Sequence, residues 1–350
     1  MVFRLKDSWV WDFWLADDGA SYHMYYLHAP KSLGDPELRH SNARIGHATS
    51  TDLRTWEPQG VVLEPDDPDA FDATSTWTGS VVQGQDGTWR MFYTGARFYE
   101  THNIEAIGVA TSPDLRTWTK QRDTIIEADA RWYERYGDST WPEEAWRDPW
   151  VFADPAGDGW HMLITARANT GDVDNRGVIG HARSQDLLTW SVMPPLSSPG
   201  AGFAHVEVPQ TTTIDGRNVL FFSCGLDKLS ATKAPSHQGG GIWSLEVGQQ
   251  TGPYDLAAST VITPAALYSG RLIQDRAGQW MMMACHDANS DGSFEGIISD
   301  PMPVHWDPAR ASLTTTPGPN HDTDHRPVPH TPRGTACPPR TTDTPARSCS

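Results

Sequence analysis

Cysteine is scarce in this chain, at 4 of 350 residues. Cys224 and Cys285 lie inside apolar stretches, Cys337 and Cys349 near the end, and no spacing suits a disulfide framework or a zinc site. No metal or other cofactor is called for by any motif. Long apolar runs are also missing: none approaches the ~20 residues of a membrane span, and no apolar leader follows Met1. The expectation is a cytoplasmic protein with no membrane partner. Basic charge is in deficit, 27 Lys and Arg against 44 Asp and Glu for a formal net charge of −17, which argues against nucleic-acid and anionic-membrane partners. Large apolar side chains nearly vanish after Pro308. Residues 309–350, rich in Thr, Pro and Arg, are expected to form a disordered tail behind one domain at 1–308. His321, His325, His330 and Cys337 in that tail fit no metal-site spacing.

An internal repeat is abundant where these are lacking. Ile45 to Trp56, Ile107 to Trp118 and Ile179 to Trp190 all fit I-G-x-A-x-S-x-D-L-x-T-W. Degenerate copies follow at Gly241 to Leu245 and at Gly296 to Asp300, the last trailing to Trp306, so the unit recurs about every 55 to 70 residues. Upstream of each copy runs an apolar strand-like segment, preceded by a turn of Gly or Asp-Gly type at Gly19, Gly87, Gly159, Gly216 and Gly278. A further strand precedes each turn, and a fourth fits after each Asp-Leu-x-x-Trp. Four antiparallel strands repeated radially five times predict an all-β fold, a five-bladed β-propeller.

In a propeller the first strand of every blade lines the central axis, so residues near the starts of those strands converge in one funnel. Three acidic motifs fall there: Trp11-Asp12-Phe13-Trp14, Arg147-Asp148-Pro149 and Glu207-Val208-Pro209-Gln210. All three carboxylates are expected to share one register. Cleavage of a glycosidic bond needs two carboxyl groups, one as general acid and one as nucleophile or base, and a third can orient the sugar. Asp12, Asp148 and Glu207 are therefore the candidate catalytic residues, and a small carbohydrate the candidate substrate. The chain carries 16 Trp, and indoles pack against the C–H faces of sugars. Trp11, Trp14 and Trp77 are expected to line the pocket with Ser80, Arg97, Arg147 and His205. Trp56, Trp118, Trp190 and Trp306 hold a fixed place in the repeat and read as blade packing. His47 and His181, at one repeat position, read likewise.

Together these motifs resemble glycoside hydrolase clan J, the five-bladed furanosidases that include the invertases and inulinases of family 32 and the levansucrases of family 68. Trp11-Asp12-Phe13-Trp14 is similar to the levansucrase Trp-Asp-Ser-Trp motif, and Trp77-Thr78-Gly79-Ser80 to Trp-Ser-Gly-Ser. Arg147-Asp148-Pro149 matches the clan's Arg-Asp-Pro. Glu207-Val208-Pro209 resembles Glu-Cys-Pro of invertases and Glu-Arg-Pro of levansucrases. The resemblance implies a β-fructofuranosidase-type enzyme that cleaves sucrose or small fructosides with retention, or transfers the fructosyl group. Asp12 would be the nucleophile, Glu207 the acid/base and Asp148 the transition-state stabiliser. Arg147 would steer Asp148 and keep its pKa low, while nearby carboxylates would raise that of Glu207. An inverting furanosidase of the arabinanase and xylosidase kind, or a noncatalytic carbohydrate-binding propeller, would carry a similar fold.

Overall fold

The computed structural model describes residues 2–231, 233–234, 240–263, 266–286 and 294–315. It is a five-bladed propeller. Blade one comprises β1 (Ser8–Asp17), β2 (Tyr22–Pro30), β3 (Arg44–Ser50) and β4 (Glu57–Leu63). Blade two holds β5 (Ser75–Gln83), β6 (Trp89–Phe98), β7 (Asn103–Ser112) and β8 (Thr119–Ile126). Blade three holds β9 (Trp146–Ala153), β10 (Trp160–Arg167), β11 (Gly177–Ser184) and β12 (Ser191–Met193), and blade four β13 (Glu207–Ile214), β14 (Arg217–Cys224), β15 (Gly241–Glu246) and β16 (Thr260–Val261). Blade five begins with β17 (Leu267–Gln274) and β18 (Trp280–His286). Its third strand is split into β19 (Ile297–Ile298) and β20 (Met302–Asp307), both paired with β18, and β21 (Ser312–Thr315) closes the outer edge.

The fourth strand of blade five corrects the expected boundary at 308. Leu313 is fully buried, and its backbone N–H donates to Ser244 Oγ at 3.2 Å. One apolar side chain in a polar segment is enough to seat a four-residue edge strand. The histidines and cysteines of the tail lie outside the described residues.

The repeat motif has a physical explanation in the turn between third and fourth strands. Ser50, Ser112 and Ser184 each donate through Oγ to Asp52, Asp114 and Asp186 at 3.0, 3.0 and 3.1 Å. Each aspartate then accepts two backbone N–H groups further along, such as Arg54 and Thr55 at 2.8 and 2.7 Å. The turn forces Leu53, Leu115 and Leu187 to φ of 62°, 61° and 62°, a costly conformation for a leucine, and each repays it by full burial between blades. The repeat tryptophans pack as expected: Trp118 meets Tyr25 of blade one edge-on at 5.6 Å, and Trp190 meets Phe92 of blade two at 5.2 Å. His47 and His181 are structural too, each stacked on a second buried histidine, His23 and His161, at 5.1 Å.

Innermost strands β1, β5, β9, β13 and β17 form a closed ring of neighbours around the axis. Every one of them carries a β-bulge near its start, where the register to the second strand slips: at Asp12, at Thr78, at 148–149, at 208–209 and at 269–270. A bulge leaves residues unpaired and re-aims side chain and carbonyl. Three of the bulged residues, Asp148, Val208 and Ser269, take φ of 57°, 54° and 48°.

Arg271 fills the space on the axis that these bulges enclose. Its Nε donates to Phe13 O at 3.1 Å, Nη2 to Gly79 O at 3.3 Å, and Nη1 to Pro209 O at 3.3 Å. Its guanidinium also lies 5.5 Å from the centre of the Trp150 ring. One side chain from blade five thus touches the other four blades. Replacing Arg271 by Met should cost about 3–5 kcal/mol, because three buried carbonyls lose their donor at once. Urea unfolding of the two proteins checks this, and a loss below about 1 kcal/mol would show that the carbonyls find other partners.

Candidate active site

The bulges correct the expected register of the acids. Asp12, Thr78, Asp148, Val208 and Ser269 are equivalent, since each is the first unpaired residue of its inner strand. Glu207 stands one residue earlier, at the place of Trp11, Trp77, Arg147 and Tyr268. Two aspartates therefore sit on the bulge level and the glutamate above it. A reading of period-two alternation cannot see the offset, because the bulges break that alternation.

Asp12 is held by hydroxyls from its two neighbouring blades. Thr78 Oγ1 donates to Oδ2 at 2.8 Å and Ser269 Oγ donates to Oδ1. Burial nevertheless pushes its carboxyl above the usual range, with the charge of Glu207 acting in the same direction and both hydroxyls opposing it.

Asp148 is buried deeper. Its Oδ2 accepts from Thr165 Oγ1 at 2.7 Å and from the Val208 backbone N–H at 3.1 Å, while its own N–H donates to Thr94 Oγ1 at 3.0 Å. Blades two, three and four are pinned together through it. Burial pushes its pKa up to about 6 against the pull of Arg147. The expectation that Arg147 would keep it low is not met, because the guanidinium is spent elsewhere. Arg147 Nε lies 4.0 Å from Asp148 Oδ2, whereas Nη1 donates to both oxygens of Glu105 at 3.1 and 3.2 Å, and Nη2 to Glu207 Oε1 at 2.6 Å.

Glu207 receives that charge. Tyr268 Oη also donates to its Oε2, and His205 Nδ1 lies 3.4 Å from Oε1. Burial drives its carboxyl up, but His205, the Arg147 charge and the Tyr268 hydroxyl together outweigh it and leave it well below the ordinary range. This reverses the expected direction, for the same reason: Arg147 points at Glu207 rather than at Asp148.

Among the expected pocket residues the outcome is mixed. Trp11 and Trp77 each lie 6.2 Å from the His40 ring, Trp77 Nε1 donates to His40 O at 2.8 Å, and Trp11 is buried. Trp14 is a correction: it is fully buried and stacks on Tyr25 at 5.9 Å, since residues beyond the bulge at Asp12 face the blade core. Ser80 is another; it is buried and its Oγ accepts the Val151 N–H at 3.0 Å, tying blades two and three. Arg97 sits near the end of β6 with its guanidinium 5.8 Å from the Tyr99 ring. His205 is fully buried behind Glu207 rather than open to a ligand.

Several participants escaped the sequence reading. Tyr268, Ser269 and Arg271 occupy the first strand of blade five, where no acidic motif marks the place. Glu105 and Thr165 lie on strands away from the axis. The segment before β9 adds Trp141 and Glu143. Among the described residues no group of three or more His, Cys, Asp or Glu is arranged to hold a metal ion.

A family model described as the glycosyl hydrolases family 32 N-terminal domain matches residues 15–249, a span that takes in Asp148 and Glu207 and begins just after Asp12. An extracellular sucrase of Zymomonas mobilis is 26% identical over 259 residues, covering 61% of this chain and 61% of the relative. A raffinose invertase of Escherichia coli is 27% identical over 208 residues, 58% of this chain and 37% of the invertase. The chain thus spans less than two thirds of the length of these relatives. In fold it is similar to an inulosucrase from Halalkalicoccus jeotgali, with a TM-score of 0.72 at 20% identity over 90% of both chains. It is also similar to Bacillus subtilis levansucrase, with a TM-score of 0.67 at 16% identity over 89% of this chain and 86% of that one.

The raised pKa of Asp148 has a consequence for stability. An unfolded aspartate titrates near 3.9, the folded one at about 6, so between those values the native state binds more protons and stability falls as pH rises. Asp148→Asn keeps the shape and removes the charge. Its stability relative to wild type should improve by roughly 2–3 kcal/mol between pH 4 and pH 8. Urea midpoints across that range test it, and a constant difference would refute the burial account.

Proposed function

The chain belongs to family 32 of the glycosyl hydrolases, and from that footing we propose that it cleaves the fructosyl bond of sucrose or a small fructoside with retention of configuration. The observation that carries the reading is the pairing of two differently held carboxyl groups in one funnel. Asp12 is gripped only by neutral hydroxyls, and Glu207 by a guanidinium and a phenol. A carboxylate held by weak donors keeps its electron pairs available for attack, whereas one held by titratable and charged groups can have its proton affinity reset by small rearrangements.

In the proposed reaction an Asp12 oxygen attacks the anomeric carbon of the fructosyl ring, and the glycosidic C–O bond breaks. Glu207 gives its proton to the departing oxygen, so the leaving sugar departs neutral. Water then attacks the fructosyl–Asp12 ester, passing its proton to Glu207 and freeing Asp12; a second sugar in place of water gives transfer. In this reading Asp148, fixed by Thr165 and the Val208 N–H, accepts hydroxyls of the ring as charge develops on it. General-acid work needs a protonated Glu207 in the complex. A neutral sugar that fills the funnel removes water from Glu207 and strengthens its repulsion with Asp12 and Asp148, and both effects raise its pKa.

That two of the relatives are a sucrase and a raffinose invertase supports the substrate class. The purified protein should release glucose and fructose from sucrose, measured by chromatography. Asp12→Asn should reduce turnover by about 10⁴-fold or more while leaving the fold intact. Proton NMR of the first-formed fructose should reveal the retained anomer. Inversion, or full activity in the Asp12 variant, would overturn the mechanism, and an excess of glucose over fructose would mark transfer.

A further inference from the structure

Glu207 does not meet the rest of the protein through Arg147 alone. Arg147 Nη2 donates one proton to Glu207 Oε1 and faces His205 Nδ1 at 2.8 Å with the other. A nitrogen that accepts from a guanidinium carries no proton, so His205 must be neutral with its hydrogen on Nε2. That nitrogen is buried, has no hydrogen bond of good geometry, and lies 3.3 Å from Glu143 Oε1. Glu143 itself is 25% exposed on its side chain and lies 3.9 Å from Arg147 Nη2. The segment that carries Glu143 is anchored independently. Arg167 stacks over Trp141 at 3.8 Å while its Nε donates to Glu134 at 2.6 Å, and Glu144 accepts the Tyr136 N–H at 3.0 Å.

We propose that Glu143 is a positioning residue which, by fixing the Nε2–H tautomer of His205 and adding a negative charge beside Glu207, sets the proton affinity of the acid/base. This rests on the reading of Glu207 given above. The alternative tautomer, with hydrogen on Nδ1, would aim that proton at Glu207 Oε1 and turn Arg147 away. Glu207 would then be held more firmly as an anion and work less well as an acid. The charge of Glu143 acts in the same sense, opposing ionisation of its neighbour. Other charged or titratable groups face Glu207 as well: Asp12 and Asp148 across the funnel, Tyr268 from β17, Cys224 from β14, Lys228 from the segment after β14, and His40 from the segment after β2. None of these touches His205 Nε2, so Glu143 supports from the Nε2 side the tautomer that Arg147 favours from the Nδ1 side.

Two measurements on the full chain test this. The first needs no turnover: nitrogen-15 spectra of imidazole-labelled protein, with the His205 signals identified by their absence in a His205→Asn variant. Wild type should show a bare Nδ1 and a protonated Nε2, and Glu143→Ala should convert this to a mixture. A protonated Nδ1 in wild type overturns the proposal. The second is the pH profile of kcat/KM on sucrose for wild type, Glu143→Gln and Glu143→Ala. Activity that needs a protonated Glu207 fades as pH rises, so removing a neighbouring negative charge should move the basic limb down by roughly half to one pH unit. Glu144→Gln, which disturbs the same segment without reaching His205, should leave the limb in place. An unmoved limb in both Glu143 variants refutes the proposal even where kcat falls, and a shift of equal size in the Glu144 variant assigns the effect to the segment's shape. Absence of turnover by wild type would count against the fructosidase reading alone, with the nitrogen-15 result still deciding the tautomer.

Discussion

Five sheets arranged about an axis leave a problem at the centre. Each innermost strand is bulged, so its carbonyls leave the ladder and turn toward a space too narrow for bulk water, where an unpaired acceptor costs roughly 1–3 kcal/mol. Arg271 answers the problem with a planar fork of donors that reaches Phe13, Gly79 and Pro209 and lies beside Trp150. Burial lowers its pKa only to about 10, so it stays charged. The bulges that aim Asp12 and Asp148 into the funnel are tolerable because this guanidinium satisfies the backbone they displace. Site and scaffold therefore share one support.

Charge follows the same economy. Asp12, Asp148, Glu207, Glu105 and Glu143 gather around two guanidinium groups, Arg147 and Arg271, too few to neutralise them all. The excess is handled by unequal hydrogen bonding. Glu207 is stabilised as an anion, while burial lifts Asp12 and Asp148 toward the protonated form. In the free protein this divergence runs opposite to the one the proposed displacement uses, an ionised Asp12 beside a protonated Glu207, so the occupied funnel has to reverse it.

Much of this was legible in the chain. The I-G-x-A-x-S-x-D-L-x-T-W copies encode a turn whose chemistry is local, with Ser and Asp capping backbone N–H groups and Leu buried at positive φ, so their period revealed the blades directly. The acidic motifs could be placed near the axis because the hairpin glycines fixed where each inner strand ends. What stayed hidden depends on contacts between blades. Glu207 differs from Asp12 and Asp148 by one residue, an offset created by bulges that no propensity signals. The partner of Arg147 could not be read, because an arginine side chain is long enough to serve either the adjacent aspartate or a glutamate on the next blade. Trp14 and Ser80 were misplaced since the bulge changes which face of the strand follows it. Arg271 had no motif, and Leu313 was lost in a segment of otherwise polar residues.

The backbone bridge between Phe3 and Ile298, with hydrogen bonds of 2.9 and 3.0 Å, brings together opposite ends of the propeller sequence. Blades one to four are built from hairpins whose contacts are local and can form as soon as each is complete. The bridge cannot form until β19 exists, so the circle closes last and at the largest loop entropy in the domain. On a ribosome the start of blade one would wait, its edge exposed, until nearly the whole propeller had emerged. The architecture that unites the active site thereby makes its completion a late event in the life of each molecule.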